Sequence, residues 1–218
     1  MARDKLLDIA VREFGSKGLE GASTRGIAAA AGTAMSSITY HYGGKDGLYL
    51  AAAEHIAERM AETIASPVAC EPPPEDARDA RECIHQTLAH YLGKMVAEED
   101  EDWSLFILRE QMNPTEAFDR IYAGPMGRTA QRLVALVRAA TGAPERQARI
   151  TAVLLFGQVI VWRAARALAA RLLTTPACQD ADAIRGEVAR NTDAILDRLT
   201  ADQSPRPYAD QHLRPQAD

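Results

Sequence analysis

Apolar positions recur at helical spacing along nearly the whole chain, and β-branched strand-like runs are scarce. Asp4 can cap a first helix whose apolar face is Leu6, Leu7, Ala10, Val11 and Phe14. Gly15 and Gly18 mark its end, and Leu19 folds back beyond the stop. Ser23 or Thr24 caps a short second helix with Ile27, Ala28 and Ala31, which Gly32 terminates. A third helix restarts at once over residues 35–40; Ala34 has no side-chain acceptor, so Thr33 is the expected cap. Two short helices around a tight glycine turn predict a helix-turn-helix, with small alanines allowing close axes and Ile38 locking the third helix to the first.

Beyond Lys45 the pattern Leu48, Ala52, Ile56 and Met60 predicts a longer helix that Ser66-Pro67 stops. Pro72-Pro73-Pro74 then reads as a stiff connector. Helical stripes follow at 77–98 (Ile84, Leu88, Tyr91, Leu92, Met95) and from Trp103 to a break at Asn113-Pro114. Further helices are expected over 115–123, from Met126 to a turn at Gly142, over 145–172 without interruption, and over 181–199. The last carries Ile184, Val188, Asn191, Ile195 and Leu199, a 4-3-4-4 spacing suited to a partner helix. The chain is therefore expected to be all-α with about nine helices. Its divisions are a helix-turn-helix domain at 1–48, a helical regulatory and dimerisation domain at 49–200, and a flexible tail at 201–218.

Composition narrows this picture. With 218 residues, 47% hydrophobic, the chain has enough material for one core, or for a core and a small satellite. The net charge of −5 argues against gripping nucleic acid by bulk electrostatics. Acidic and basic residues nevertheless balance over residues 1–59, so the excess negative charge lies in the rest of the chain. No basic-then-apolar leader opens the sequence, and the most apolar stretch, around 151–162, is too short and too interrupted to span a membrane. Cytoplasmic location is expected. Cys70, Cys83 and Cys178 form no metal-like cluster, and their odd number argues against a disulfide framework. The acidic block at 98–102 reads as a solvated loop in preference to a metal site, and neither metal nor cofactor is implied.

The outer face of the third helix offers Ser36, Ser37, Thr39, Tyr40 and His41. Short hydroxyl side chains approach base edges without holding the backbone away, and the aromatic pair can reach phosphate or sugar. Lys45 opens the next helix, where its charge and the free backbone amides can share a phosphate, and Arg25 can grip the other side of the groove. Bidentate base readers are missing from this helix, so positioning contacts should outnumber base contacts.

Residues 5–55 resemble the DNA-binding domain of the TetR family of bacterial transcriptional regulators. The resemblance rests on Phe14-Gly15 with Gly18, on Ser23-Thr24-Arg25-Gly26-Ile27-Ala28, on Ala31-Gly32, and on the run from Ile38 through Tyr42-Gly43-Gly44-Lys45 to Leu48. Thr39 stands where the family often has tyrosine, Ala34 where it often has serine, and Tyr42 where phenylalanine is usual. The later run Arg109-Glu110-Gln111-Met112-Asn113-Pro114 resembles the CecR-like branch. The resemblance implies a homodimer that binds a palindromic operator in double-stranded DNA, represses, and is released by a small amphipathic or apolar effector.

An adaptable effector pocket is expected where the helices break beside large side chains. Trp103, Phe106, Met112, Tyr122 and Met126 would line it, Phe156, Gln158 and Trp162 would close it, and Arg109 with Glu110 are the polar candidates. Two other readings stay open: a helical protein-interaction module without DNA binding, and a redox-responsive regulator using Cys70, Cys83 or Cys178. Catalysis is not expected, because no nucleophile triad, phosphate loop or zinc motif is present and the five histidines have no evident partners.

Overall fold

The computed structural model describes residues 2–64, 74, 76–97 and 103–203. Cys70, Pro72, Pro73, the acidic block at 98–102 and the tail from 204 lie outside them. Within them are eleven α-helices and no strand. The N-terminal group is α1 (Ala2–Gly21), α2 (Thr24–Ala31), α3 (Met35–Tyr42) and α4 (Lys45–Ile64). The body follows as α5 (Ala77–Val96), α6 (Ser104–Met112), α7 (Glu116–Ile121), α8 (Gly127–Thr141), α9 (Glu145–Ala164), α10 (Arg166–Leu173) and α11 (Ala181–Gln203).

Local chemistry explains where these elements start and stop. Ser23 caps α2, accepting from the Gly26 amide, and Gly32 ends it in the left-handed conformation. The expected Thr33 cap is not found: Ala34 holds the N-cap position of α3 with no side-chain bond. Gly18, at φ 74°, breaks α1 one turn before its end, a positive φ that glycine adopts without steric cost. Between α7 and α8, residues Tyr122–Met126 form a π turn, because Pro125 has no amide to give to the helical ladder. The expected long helix at 145–172 is two helices, α9 and α10, bent by 80° about Ala165, a break that neither proline nor glycine announces.

Two hydrophobic cores result. The first packs Phe14, Ile27, Ile38, Leu48, Tyr49 and Ile56 of the N-terminal helices against Trp103, Phe106, Ala117 and Ile121 of α6 and α7. The expected division at residue 48 therefore cuts through a continuous core, since α4 needs both neighbours to bury its faces. The second joins α5, α8, α9 and α11 through Ile84, Leu88, Leu133, Leu155, Val188 and Leu196.

Candidate DNA-reading helix and effector cavity

The DNA-reading candidates lie on α2, on α3 and at the start of α4. Arg25 is exposed as the second residue of α2, Ser36, Thr39, Tyr40 and His41 are exposed on α3, and Ser37 is half-buried. Tyr40 is 85% exposed, and its ring meets His41 edge-on at 5.0 Å. A large aromatic side chain left in water with no core to fill favours a contact outside the chain. Thr39 Oγ1 donates to the Met35 carbonyl at 3.5 Å, a weak back-bond that a better acceptor can replace. Lys45 is not a free cation: its Nζ donates to the Glu20 carbonyl at 2.9 Å, tying the start of α4 to the end of α1. Two of its three donors are left for a phosphate at the α4 N-terminus. Met35, also exposed at the start of α3, was missing from the sequence-based set. A large apolar side chain on an otherwise polar outer edge was the available signal.

A cavity of about 930 Å³ lies among the body helices and reaches back to α1 and α4. Trp103, Tyr122, Met126 and Phe156 line it as expected from the helix breaks. The six other candidates do not. Phe106 is fully buried in the first core, stacked on Tyr49 at 4.6 Å. Met112 is 72% exposed at the end of α6. Gln158 bridges α9 to α11 by donating to Thr192 Oγ1 at 2.9 Å, and Trp162 packs on the second core away from the lining. Arg109 points into the N-terminal helices, where Nε donates to the Gly15 carbonyl at 2.6 Å and Nη2 to that of Ser16 at 2.7 Å. Sequence spacing places such residues on a helix but leaves undecided which neighbour each one faces. Tyr91, Met95 and Lys94 of α5, with Arg12 and Met60 from the N-terminal helices, line the cavity and were not anticipated as pocket residues.

Glu110, weighed as a pocket group, is instead a buried joint. Oε1 accepts from the Tyr49 hydroxyl at 2.6 Å. Oε2 accepts from the Thr115 amide, the Thr115 hydroxyl and the Phe118 amide at 2.9–3.1 Å. The carboxylate thus caps α7 and fastens α6 to α4. Burial and then the hydrogen bond to Glu110 push the Tyr49 phenol up, so the hydroxyl stays a donor.

The expected dimer seam on the last helix needs correcting. Ile184, Val188 and Leu199 are buried in the second core, Ile195 is half-buried against it, and only Asn191 is exposed. The 4-3-4-4 seam is filled by α5 and α8 of the same chain, with His85–Asp193 and Arg81–Asp197 pairs at 2.8 and 2.7 Å along its edge. Heptad-like spacing marks a helix partner without saying which molecule supplies it. Unpartnered apolar surface lies instead on α9, where Ile150 and Leu154 are each more than half exposed.

Cys83 is engaged in a disulfide whose partner sulfur lies outside the described side chains, so one pair forms although the odd cysteine count argued against a disulfide framework. Among the described residues no group of three His, Cys, Asp or Glu is arranged to hold a metal ion. No single described helix is long and apolar enough to cross a membrane.

Comparison with known proteins agrees with this geometry. Residues 6–52 match the family model for bacterial regulatory proteins of the tetR family. Residues 80–199 match that for the C-terminal domain of the HTH-type transcriptional dual regulator CecR. The chain is 31% identical over 170 residues to the HTH-type transcriptional dual regulator CecR of Shigella flexneri, covering 74% of this chain and 75% of that protein. It is 41% identical over 63 residues to the HTH-type transcriptional repressor AcnR of Corynebacterium efficiens, covering 29% and 34% respectively. A transcriptional regulator structure from Pseudomonas aeruginosa PAO1 superposes with a TM-score of 0.62 at 21% identity, over 90% of this chain and 89% of that one. The chain belongs to the TetR family of bacterial transcriptional regulators and, within it, to the CecR-like branch.

Proposed function

We propose that this regulator is a cytoplasmic homodimer that represses by occupying a palindromic operator and is released by a small amphipathic or apolar effector. The observation that carries the reading is the α6 arrangement. Phe106, Arg109 and Glu110 fasten this helix to α1 and α4, while Leu105, Ile107, Leu108 and Gln111 line the cavity. A ligand that favours one position of α6 must also favour one position of the reading helices, which is the coupling that release requires. The relative named a dual regulator and the relative named a repressor make activation at some promoters the outcome to check.

The reading helix supports a division of labour: Lys45 and Arg25 hold phosphates, while Thr39 and its hydroxyl neighbours read the groove. With duplexes selected from a random library, Lys45→Ala should weaken binding to every sequence and reduce the salt slope by about one. Thr39→Ala should cost about 1–3 kcal/mol on the preferred sequence and little elsewhere. Anisotropy titrations at several salt concentrations check both. Equal losses on all sequences from both substitutions would refute the assignment.

Dimerisation is assigned to the exposed side of α9, which replaces the α11 seam read from spacing. Two such helices crossing at a two-fold axis would bury Ile150 and Leu154 and set the separation of the two readers. Light scattering should give twice the chain mass for the wild type and the single chain mass for Leu154→Arg. A dimer unaffected by Leu154→Arg would move the interface elsewhere.

The Cys83 disulfide favours redox control as a second reading. Treatment with dithiothreitol should then change operator affinity. Unchanged affinity after complete reduction leaves the bond a structural one.

A further inference from the structure

The start of α3 departs from what stability favours at two adjacent residues. Ala34 holds the N-cap position with no side-chain bond, where Ser, Thr, Asp or Asn would satisfy a free amide. Met35 follows as the first helical residue and is 46% exposed. Among the described residues of α1–α4, Met35 and Tyr40 are the only large hydrophobic side chains left exposed, and both belong to α3. Local choices that work against stability gather where a residue serves a partner. Thr39 stands one turn beyond Met35 on the same side of the helix, with its hydroxyl turned to the Met35 carbonyl at 3.5 Å. Ala34, Met35 and Thr39 are all exposed, and each carries a methyl group.

The side chains of α3 restrict which base it can choose. In the major groove, Arg or Lys pairs with guanine, Asn or Gln with adenine, and Asp or Glu accepts from cytosine. Helix α3, from Met35 to Tyr42, contains none of these six residue types. Its Ser and Thr hydroxyls bond to several bases and do not choose among them alone. Thymine alone among the four bases presents a C5 methyl group, and apolar contact reads it. We propose that Met35, with Ala34 and Thr39 beside it, selects thymine by that methyl group, so that each operator half-site places a thymine at the start of α3. This assignment rests on the reading of α3 as the DNA-contacting helix and names the base it selects. The first residues of a reading helix are the ones that reach base edges, and side chains lean towards the helix N-terminus. The thioether of Met35 is flexible and polarisable, which suits close contact with a methyl group on the groove floor.

The test uses the duplex that the full-length wild-type protein selects from a random library. It is remade with deoxyuridine in place of thymidine, first throughout and then one position at a time. That exchange deletes the C5 methyl and keeps every base-pairing group. In anisotropy titrations the wild type should lose about fourfold in affinity at a thymine in each half-site, the value of one methyl group returned to water. Met35→Ala should bind the thymidine duplex more weakly and no longer distinguish uracil from thymine at that position. Met35→Leu, still apolar and of similar volume, should keep the distinction. Met35 is exposed and belongs to neither core, so these substitutions leave the fold intact, which circular dichroism checks. The assignment falls if the selected half-sites share no thymine, if uracil is tolerated at every position, or if Met35→Ala keeps the full distinction. A library that yields no salt-sensitive, sequence-selective duplex removes the DNA-contacting role of α3 itself, and the assignment with it. A selected duplex indifferent to uracil removes the thymine assignment alone, and the readout then lies in the hydroxyl groups and DNA shape.

Discussion

The two sides of α6 are built on opposite principles, although the helix has only nine residues. Towards α1 and α4 it presents Phe106, Arg109 and Glu110, each with its partners in place: a stacked ring, two helix-end carbonyls and four hydrogen-bond donors. Towards the cavity it presents Leu105, Leu108 and Gln111, which border open space, while Ile107 lines the cavity and also packs against the first core. A fully satisfied polar joint has one low-energy arrangement, whereas an apolar wall beside a cavity has several. Compliance therefore resides on the cavity side. Change enters through the loose side, and the tight side passes it on as rigid displacement without absorbing it.

Unfastening the tight side at Glu110 should have the largest effect. Its side chain is essentially inaccessible, and replacement by alanine leaves the Tyr49 hydroxyl and the Thr115 and Phe118 donors without their acceptor. Each unsatisfied buried group costs about 1–3 kcal/mol, so a total loss of about 3 kcal/mol or more is expected in urea denaturation. Tyr49→Phe removes one donor along with its demand and should cost about 1 kcal/mol. Similar losses for the two variants would show that the carboxylate contributes little beyond the Tyr49 bond, and the picture of a saturated joint would fail.

This joint also marks the limit of what the sequence disclosed. The reader was legible because its information is local: a capped short helix at Ser23, a left-handed stop at Gly32, and Ile38 as the one α3 residue buried in the first core. Four of the pocket residues were legible for a related reason, since Asn113-Pro114 and Gly124-Pro125 open gaps beside large side chains. Arg109 and Glu110 were visible as a pair, but their partners lie 94 and 61 residues away at Gly15 and Tyr49. Periodicity carries no record of such pairing, so they were grouped with the cavity they back onto. The seam on α11 failed in the same way, because Ile184 and Val188 have the spacing of an interface whichever chain covers them. The bend at Ala165 has no local signal, and with it went the expectation of one long helix.

Arg109 offers a finer cut through the same joint. Its guanidinium holds the Gly15 and Ser16 carbonyls just before the left-handed Gly18, so it fixes how the end of α1 meets α6. Hydrogen bonds from a charged donor are worth about 1.5–3 kcal/mol, and partial exposure puts Arg109→Ala near the lower figure. The informative readout is the coupling. Arg109→Ala should retain most of its ligand affinity but lose most of the ligand-induced drop in operator affinity. Arg109→Lys, with one compact donor group in place of a fork, should recover stability better than coupling. Full coupling in Arg109→Ala would mean that the Glu110 side of α6 transmits alone.

The smallest expected effect probes whether the N-terminal helices have a tight joint of their own, independent of α6. Asp8 Oδ1 accepts from both His55 Nε2 and Arg59 Nη1 at 2.8 Å, tying the first turns of α1 to the middle of α4. Burial alone would raise the Asp8 carboxyl, but the bonds from His55 and Arg59 outweigh it and hold the group below its ordinary value of 3.8. A carboxyl depressed in the folded state contributes stability above its unfolded value and loses it as pH falls through the folded one. Asp8→Asn should therefore be less stable than the wild type near neutral pH, and the gap should close only as pH drops below about 4. Because Asp8 is more than a third exposed, solvent screening keeps the gap small, below that of either α6 variant. Urea denaturation of the pair from neutrality down to acid reads it directly, since every other carboxylate cancels in the difference. A gap independent of pH would mean that Asp8 acts by shape and hydrogen bonding alone, and α1 would then owe its place to the Phe14 core and to Arg109.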